Sequence, residues 1–110
     1  METLNKIQLI GRVIKTTNII HKDGNRWIYA WLDTELQLNT KSIIKLRGYG
    51  SHADLLSKEY MIGATLYVGG RINYNYTNDT TEIHIKSLSI ISYSKQKINA
   101  VKDAFNNFLN

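Results

Sequence analysis

The side chains best suited to chemistry in this chain are aromatic rings that recur at every second residue. Trp27, Tyr29 and Trp31 are each separated by one residue, and Tyr74 and Tyr76 repeat that spacing. Because successive side chains of a β-strand point to opposite faces, each set would present its rings on one face. Trp and Tyr suit half-exposed faces, where a ring meets both water and a partner. The spacing therefore indicates surfaces that can stack flat rings against a planar ligand.

Cationic side chains accompany these rings. Lys45 and Arg47 share one face of a short alternating segment. Arg12 and Arg71 face outward if the alternation of their own segments holds. The whole chain has 14 Lys and Arg against 9 Asp and Glu, a formal net charge of +5. Such an excess attracts polyanions, and a single-stranded nucleic acid offers phosphates to cations and unstacked bases to rings. The combination indicates a nucleic-acid-binding surface.

Catalytic and metal-binding patterns are missing from the sequence. The three histidines are scattered over different segments without the spacing of a helical metal site, and no nucleophile or phosphate-loop motif occurs. There is no cysteine, which excludes thiol catalysis and disulfide bonds. A nuclease site built from Asp33, Glu35 and Arg47 is a minor alternative. We therefore expect a protein that is not an enzyme and that needs no cofactor or metal.

Alternation of apolar and polar residues predicts five strands, which carry the aromatic and cationic side chains described above. We expect a tight hairpin at Asp23–Gly24 and a sharp coil of the fourth strand at Gly69–Gly70. A helix should begin with Ser51 as its N-cap and stop at Gly63, and residues 18–21 should continue the first strand past a bulge. The five strands are predicted at Asn5–Lys15, Arg26–Leu32, Ser42–Tyr49, Thr65–Tyr76 and Glu82–Leu88. Three strands, a helix and two strands form the order of the OB-fold, an all-β, five-stranded Greek-key barrel.

The domain organisation follows from the length of 110 residues, which suits one OB-fold domain at 1–93 and an amphipathic C-terminal helix at 94–110. The helix is predicted from an apolar stripe of Ile98, Val101, Phe105, Phe108 and Leu109. So short a helix needs a surface to dock on, and we expect that surface within the protein or its homo-oligomer. The start of the chain lacks the pattern of a signal peptide and no apolar run could span a bilayer, so we expect a cytoplasmic protein without a membrane partner.

Three motifs, in order along the chain, resemble those of bacterial and mitochondrial single-stranded DNA-binding proteins. Leu4 to Val13 resembles the family's Asn-Lys-apolar-x-Leu-apolar-Gly opening strand. Tyr49 to Asp54 resembles its aromatic-Gly-x-x-Ala-acidic helix entry, and Gly63 to Ile72 resembles its Gly-x-x-apolar-Tyr-Val-x-Gly-x-Leu fourth strand. The matches together span residues 4 to 91. The resemblance implies an OB-fold that binds single-stranded DNA.

The departures from the family are also informative. Ile43 stands where family members often carry Trp, Leu38 lies near another usual Trp, and Asp33 replaces a small residue. Trp27 and Trp31 lie in a different part of their strand, so the family's base contacts do not transfer to them directly. The family's Gly- and Pro-rich tail with an acidic tip is missing. We therefore expect a short, tail-less variant of phage, plasmid or mobile-element type.

Sequence alone thus predicts sequence-tolerant binding of single-stranded DNA in replication, recombination or repair, by a homo-oligomer, dimer or tetramer. Two alternatives stay open. One is a primosome-type OB accessory protein; the other is an interaction module that recruits a helicase or polymerase, for example through the C-terminal helix. The face of Trp27 could equally pack on that helix or on a second subunit. The candidate DNA-binding residues are Arg12, Trp27, Tyr29, Trp31, Lys45, Arg47, Tyr49, Arg71, Tyr74 and Tyr76.

Overall fold

A computed structural model describes residues 5–35, 42–94 and 106–107 of the chain. Most of these residues lie in six strands that belong to one sheet. A short α-helix and a 3₁₀ turn at Glu59–Met61 stand between the fourth and fifth strands. The elements are β1 Ile7–Thr16, β2 Ile20–Lys22, β3 Asn25–Asp33, β4 Ile43–Tyr49, α1 Ser51–Leu56, β5 Thr65–Asn75 and β6 Thr80–Ser92.

The sheet closes on itself. Its strand order is β1-β5-β6-β4-β3-β2, and β1 also pairs with β3, so five strands form a ring and β2 extends it beyond β3. β1 serves two neighbours, because Ile7 to Arg12 pair with β5 and Arg12 to Thr16 pair with β3. At the changeover, a Cβ atom on Gly11 would collide with the carbonyl oxygen of Asp33, so only glycine fits there. The contact between β4 and β6 is parallel, and the other pairings are antiparallel.

The hydrophobic core fills the inside of this ring. Alternate residues of each barrel strand point inward, as on β3, where Ile28, Ala30 and Leu32 are fully buried. Helix α1 adds Ala53 and Leu56 to one end of the core. The other buried apolar residues are Leu9, Val13, Leu46, Met61, Ala64, Leu66, Val68, Ile83 and Ile85. Because the inward positions of β3 are taken by aliphatic side chains, its aromatic residues must lie on the outer surface of the barrel.

Several sequence-based expectations are confirmed at this level. The described part of the chain is mostly β, with a short α-helix in the expected place. The Asp23–Gly24 hairpin forms, with positive φ at both residues, as a two-residue turn of this kind requires. The predicted coil of the long strand coincides with a shift in register between Gly69 and Gly70.

Other expectations need correction. Among the described residues the sheet has six strands instead of five, because residues 20–22 form the separate strand β2 on the hairpin with β3 and do not continue β1. Helix α1 ends at Leu56, well before Gly63, and its N-cap is Gly50, with Ser51 inside the helix. The predicted C-terminal helix lies outside the described residues, apart from Ser94 and the helical pair Asn106 and Asn107. No described helix has the length and hydropathy that a membrane crossing requires.

Candidate nucleic-acid interface

The outer surface of β3 and β4 carries a layer of rings and cations. Strand register places Trp27 opposite Tyr49, Tyr29 opposite Arg47 and Trp31 opposite Lys45. Each predicted ring of β3 therefore has a predicted binding residue of β4 beside it on the same face. Five of these side chains are half-buried and that of Tyr49 is exposed. We call this surface the ring–cation face, made of Trp27, Tyr29, Trp31, Lys45, Arg47 and Tyr49.

Contacts within the ring–cation face join the two kinds of side chain. The ammonium nitrogen of Lys45 lies 4.1 Å from the centre of the Tyr29 ring. The guanidinium carbon of Arg47 lies 4.7 Å from the Trp27 ring, 5.3 Å from Tyr29 and 5.2 Å from Tyr49. At these distances the negative face of a ring attracts a cation. The rings therefore hold the two cations in position before any ligand arrives.

Lys15 extends the ring–cation face along β1, and sequence reasoning missed it. Its ammonium nitrogen lies 5.0 Å from the centre of the Trp31 ring. Strand register explains the contact, because Lys15 pairs with Trp31 just after a bulge between Val13 and Lys15. The bulge shifts which residues of β1 share a face, and a strict alternation could not reveal the neighbour.

Strand β6 contributes two polar side chains beside the same face. The parallel pairing sets His84 next to Arg47. The side chain of Glu82 is 0% exposed, and its Oε1 lies 3.4 Å from Nε2 of His84 and 3.7 Å from a terminal nitrogen of Arg47. Its Oε2 lies 3.5 Å from the ammonium nitrogen of Lys45. A buried carboxylate thus sits among the cations that the sequence assigned to DNA binding.

The electrostatics of His84 follow from this position. Burial lowers the pKa of His84, the hydrogen bond and charge of Glu82 raise it, and the positive charges of Arg47 and Arg71 lower it. The net pKa lies below the ordinary value, so the imidazole is neutral at pH 7. Its ring also meets Tyr49 edge to face, with 5.5 Å between centres. Burial raises the pKa of Tyr49, which stays a neutral phenol.

Tyr74 and Tyr76 lie at a different place, where β5 turns into β6. Tyr74 is the second-to-last residue of β5 and is 43% exposed, whereas Tyr76 lies in the turn and is 88% exposed. Their rings touch edge to face with 4.7 Å between centres. The turn is held by the side-chain oxygen of Asn75, which accepts hydrogen bonds from the backbone N–H groups of Thr77 and Asn78. We call these two residues the tyrosine pair.

The two remaining predicted cations, Arg12 and Arg71, are exposed and are not part of the ring–cation face. Arg71 pairs with His84 across β5 and β6 and lines a groove of about 490 Å³. Lys6 and Lys86 line the same groove, and no acidic side chain among the described residues does. Arg12 borders a separate groove with Ile62. The structure therefore brings Arg71 next to the face through His84 and leaves Arg12 outside it.

The residues considered for a nuclease do not converge. Asp33 is buried and its Oδ1 accepts a hydrogen bond from the backbone N–H of Glu35. Asp33 pairs with Ile43, four residues along the strand pair from Arg47. Within residues 5–35 and 42–94, no group of three His, Asp or Glu side chains is placed to hold a metal ion.

Comparison with solved structures places this fold among known proteins. The chain is similar to Rim1, a mitochondrial single-stranded DNA-binding protein of S. cerevisiae, with a TM-score of 0.70, 16% identity and 86% of this chain and 100% of Rim1 covered. It is similar to SSBb, the second single-stranded DNA-binding protein of Mycobacterium smegmatis, with a TM-score of 0.67 and 11% identity over 79% of this chain and 88% of that one.

A third similar structure is the dimeric N-terminal domain of PriB from Thermoanaerobacter tencongensis. Its TM-score is 0.66 at 15% identity, and the match covers 79% of this chain and 96% of the PriB domain. No protein-family model matches the sequence, and no curated protein matches it significantly. The likeness is thus one of fold, and it confirms at that level the resemblance read from the three sequence motifs.

Proposed function

We propose that this chain binds single-stranded DNA without sequence selectivity, in replication, recombination or repair. The observation that carries the proposal is the ring–cation face, where three cations, Lys15, Lys45 and Arg47, lie against the rings of four aromatic side chains. Unpaired strands expose base faces and phosphates side by side, and this face offers a partner to each. The likeness to Rim1 and SSBb, both named for single-stranded DNA binding, supports the proposal.

The binding mechanism follows from the chemistry of the rings and the cations of the ring–cation face. Bases stack on the outward faces of Trp27, Tyr29 and Trp31, while Lys45 and Arg47 receive the phosphates between them. Every base has a π-face and every nucleotide a phosphate, so such contacts accept any sequence. We assign no catalytic residue, cofactor or metal to the chain.

The bound DNA strand would continue from the ring–cation face towards the opposite edge of β6. His84 and Arg71 bridge the ring–cation face to the groove that Lys6 and Lys86 line. The tyrosine pair stands at the rim of the same sheet and can stack further bases, because both rings are exposed to solvent. Arg12 would contact phosphates only if the strand wraps past the end of the barrel.

A second candidate function is that of an accessory protein of the primosome. The fold likeness to PriB supports it. Such a protein would bind DNA more weakly and would take a helicase or polymerase as its main partner, with the C-terminal segment as the recruiting element. The dimeric state named for that PriB domain also supports a homo-oligomer of this chain.

Tryptophan fluorescence tests the proposal directly. The chain has two tryptophans, Trp27 and Trp31, and both belong to the ring–cation face. We expect oligo-dT to quench their emission, and a duplex of equal length to bind at least tenfold more weakly at the same salt concentration. Equal affinity for the two DNAs would contradict the proposal. Light scattering with and without oligo-dT measures the oligomeric state in the same samples.

A further inference from the structure

The geometry points to Glu82 as a positioning residue that sets how much positive charge the ring–cation face offers to DNA. We infer that its carboxylate holds Lys45 and Arg47 on their rings and offsets one of their two charges. It thereby makes binding depend on stacking more than on charge and favours single strands over duplex. The inference rests on the proposed binding of single-stranded DNA.

The first support is the burial of Glu82. Its side chain is fully buried, although it lies on the outer side of β6, where alternation with the core residue Ile83 would expose it. Glu is almost never fully buried unless it is paired. The long side chains of Lys45 and Arg47, with His84, cover the carboxylate and supply its pairing. No other acidic side chain in the described part of the chain forms an ion pair with either cation.

The second support is the length of these ion pairs. The nitrogen–oxygen distances of 3.5 Å to Lys45 and 3.7 Å to Arg47 exceed the roughly 2.7–2.9 Å of a charge-assisted hydrogen bond. Oε2 of Glu82 forms no hydrogen bond among the described residues. An ammonium group has three N–H donors and a guanidinium five. Glu82 therefore attracts both cations without occupying their donors, which leaves those donors for phosphate.

The consequence concerns selectivity. Two cations and one carboxylate leave a net charge of +1 at the centre of the face, where Lys45 and Arg47 alone would give +2. Phosphate contacts are available on duplex and single strands alike, whereas exposed base faces belong to single strands. Each neutralised phosphate contributes about 0.9 to the salt slope on duplex and about 0.7 on single strands, so offsetting one cation while keeping the rings in place weakens duplex binding more than single-strand binding. The stacking part then decides the choice between them.

The test compares Glu82→Gln with the matched control Glu59→Gln, which removes the same charge from an exposed residue of the 3₁₀ turn. For oligo-dT, Glu82→Gln should steepen the fall of log K with log salt by about 0.7, one phosphate's worth, so a tenfold rise in salt costs about fivefold more affinity. Its affinity for duplex should rise towards that for oligo-dT. Glu59→Gln should match the wild type in both measurements. An unchanged or shallower slope for Glu82→Gln would overturn the inference.

A second readout needs no DNA and separates this inference from the proposed function. Glu82 raises the pKa of His84, so Glu82→Gln should lower that pKa further in an NMR titration of the free protein. If the wild type shows no preference for single strands but this shift is seen, the proposed function fails and the charge-offsetting role of Glu82 stands. If the pKa of His84 does not move, the inference fails. Should Glu82→Gln not fold, Glu82→Asp, which withdraws the carboxylate, should give smaller changes of the same sign.

Discussion

The ring–cation face and the tyrosine pair both carry aromatic side chains at every second residue, but they are built differently. On the face, the rings lie on paired strands of the closed barrel, half-buried and in contact with cations. In the tyrosine pair, Tyr76 lies in a turn, 88% exposed, and its described ring contact is with Tyr74. The first site is organised by the fold itself, while the second is attached to its edge.

This difference teaches which properties each site can contribute. A side chain already fixed by packing loses little conformational freedom when a ligand binds, so preorganised contacts give more net affinity. An exposed ring loses conformational freedom when it stacks on a base, and this entropy cost cancels part of the favourable stacking energy. We therefore expect changes in the face to affect both stability and binding, and changes in the tyrosine pair to affect binding alone.

The largest effect is expected for Arg47→Ala. This change removes contacts to three rings and one of the partners of the buried Glu82 carboxylate. Breaking a buried pair from one side costs about 3 kcal/mol of unfolding free energy at the low end of the usual range, which applies here because Lys45 and His84 still pair with the remaining carboxylate. Urea unfolding measures the loss. Arg71→Ala, which removes an exposed cation, should change stability by less than about 0.5 kcal/mol. If both variants are equally stable, the face is not the preorganised site that the comparison requires.

The tyrosine pair should show the opposite pattern. Tyr76→Ala and Tyr74→Ala should each weaken binding of oligo-dT by about 1–3 kcal/mol, the usual contribution of one stacked base. Their unfolding curves should match the wild type, because both side chains are exposed. Tyr76→Phe keeps the ring and should bind normally. Loss of stability in the alanine variants, or binding as tight as that of the wild type, would remove the pair from the proposed interface.

The fold was largely predictable because its signals are local. Alternation in β3 separates Ile28 and Ala30, which are buried, from Trp27 and Tyr29, which face outward. Each strand shows such a pattern within its own few residues. The separate strand β2 was not predicted. The chain leaves β1 at Thr16, and residues 20–22 then pair with β3 across the Asp23–Gly24 hairpin instead of continuing β1. The short connection of Thr17, Asn18 and Ile19 does not distinguish a bulge within one strand from a break between two strands.

The candidate site was predicted only in part, because its contacts join residues that are distant in the chain. The rings and the cations were identified separately, but the pairing of Tyr29 with Arg47 and of Trp31 with Lys15 depends on strand register. Glu82 is the clearest omission. Its alternation with Ile83 predicts an exposed side chain, but side chains from β4, together with His84, bury it. No local pattern carries that information.

The smallest predicted effect is a pH dependence through His84, which belongs to the face and not to the tyrosine pair. Glu82, Arg47, Arg71 and Tyr49 surround it, and its pKa is lowered mainly by burial. Phosphates would stabilise its charged form, so affinity for oligo-dT should rise severalfold as pH falls from about 7.5 to 5.5. The stability of the free protein has the opposite pH dependence and decreases as pH falls. The unfolded chain takes up the proton at about pH 6.5, so the contribution of His84 to stability is present above that pH and is lost as pH falls through its lowered folded pKa.

Fluorescence titrations with oligo-dT across this pH range measure the change in affinity. His84→Gln should flatten the profile, because no proton then joins the face. His52→Gln, which alters a histidine of α1, should keep the wild-type profile. The tyrosine-pair variants should also keep the wild-type pH dependence, displaced to weaker binding, because no titrating group near pH 6.5 contacts those rings among the described residues. A profile that persists in His84→Gln would show that the pH response arises outside the ring–cation face.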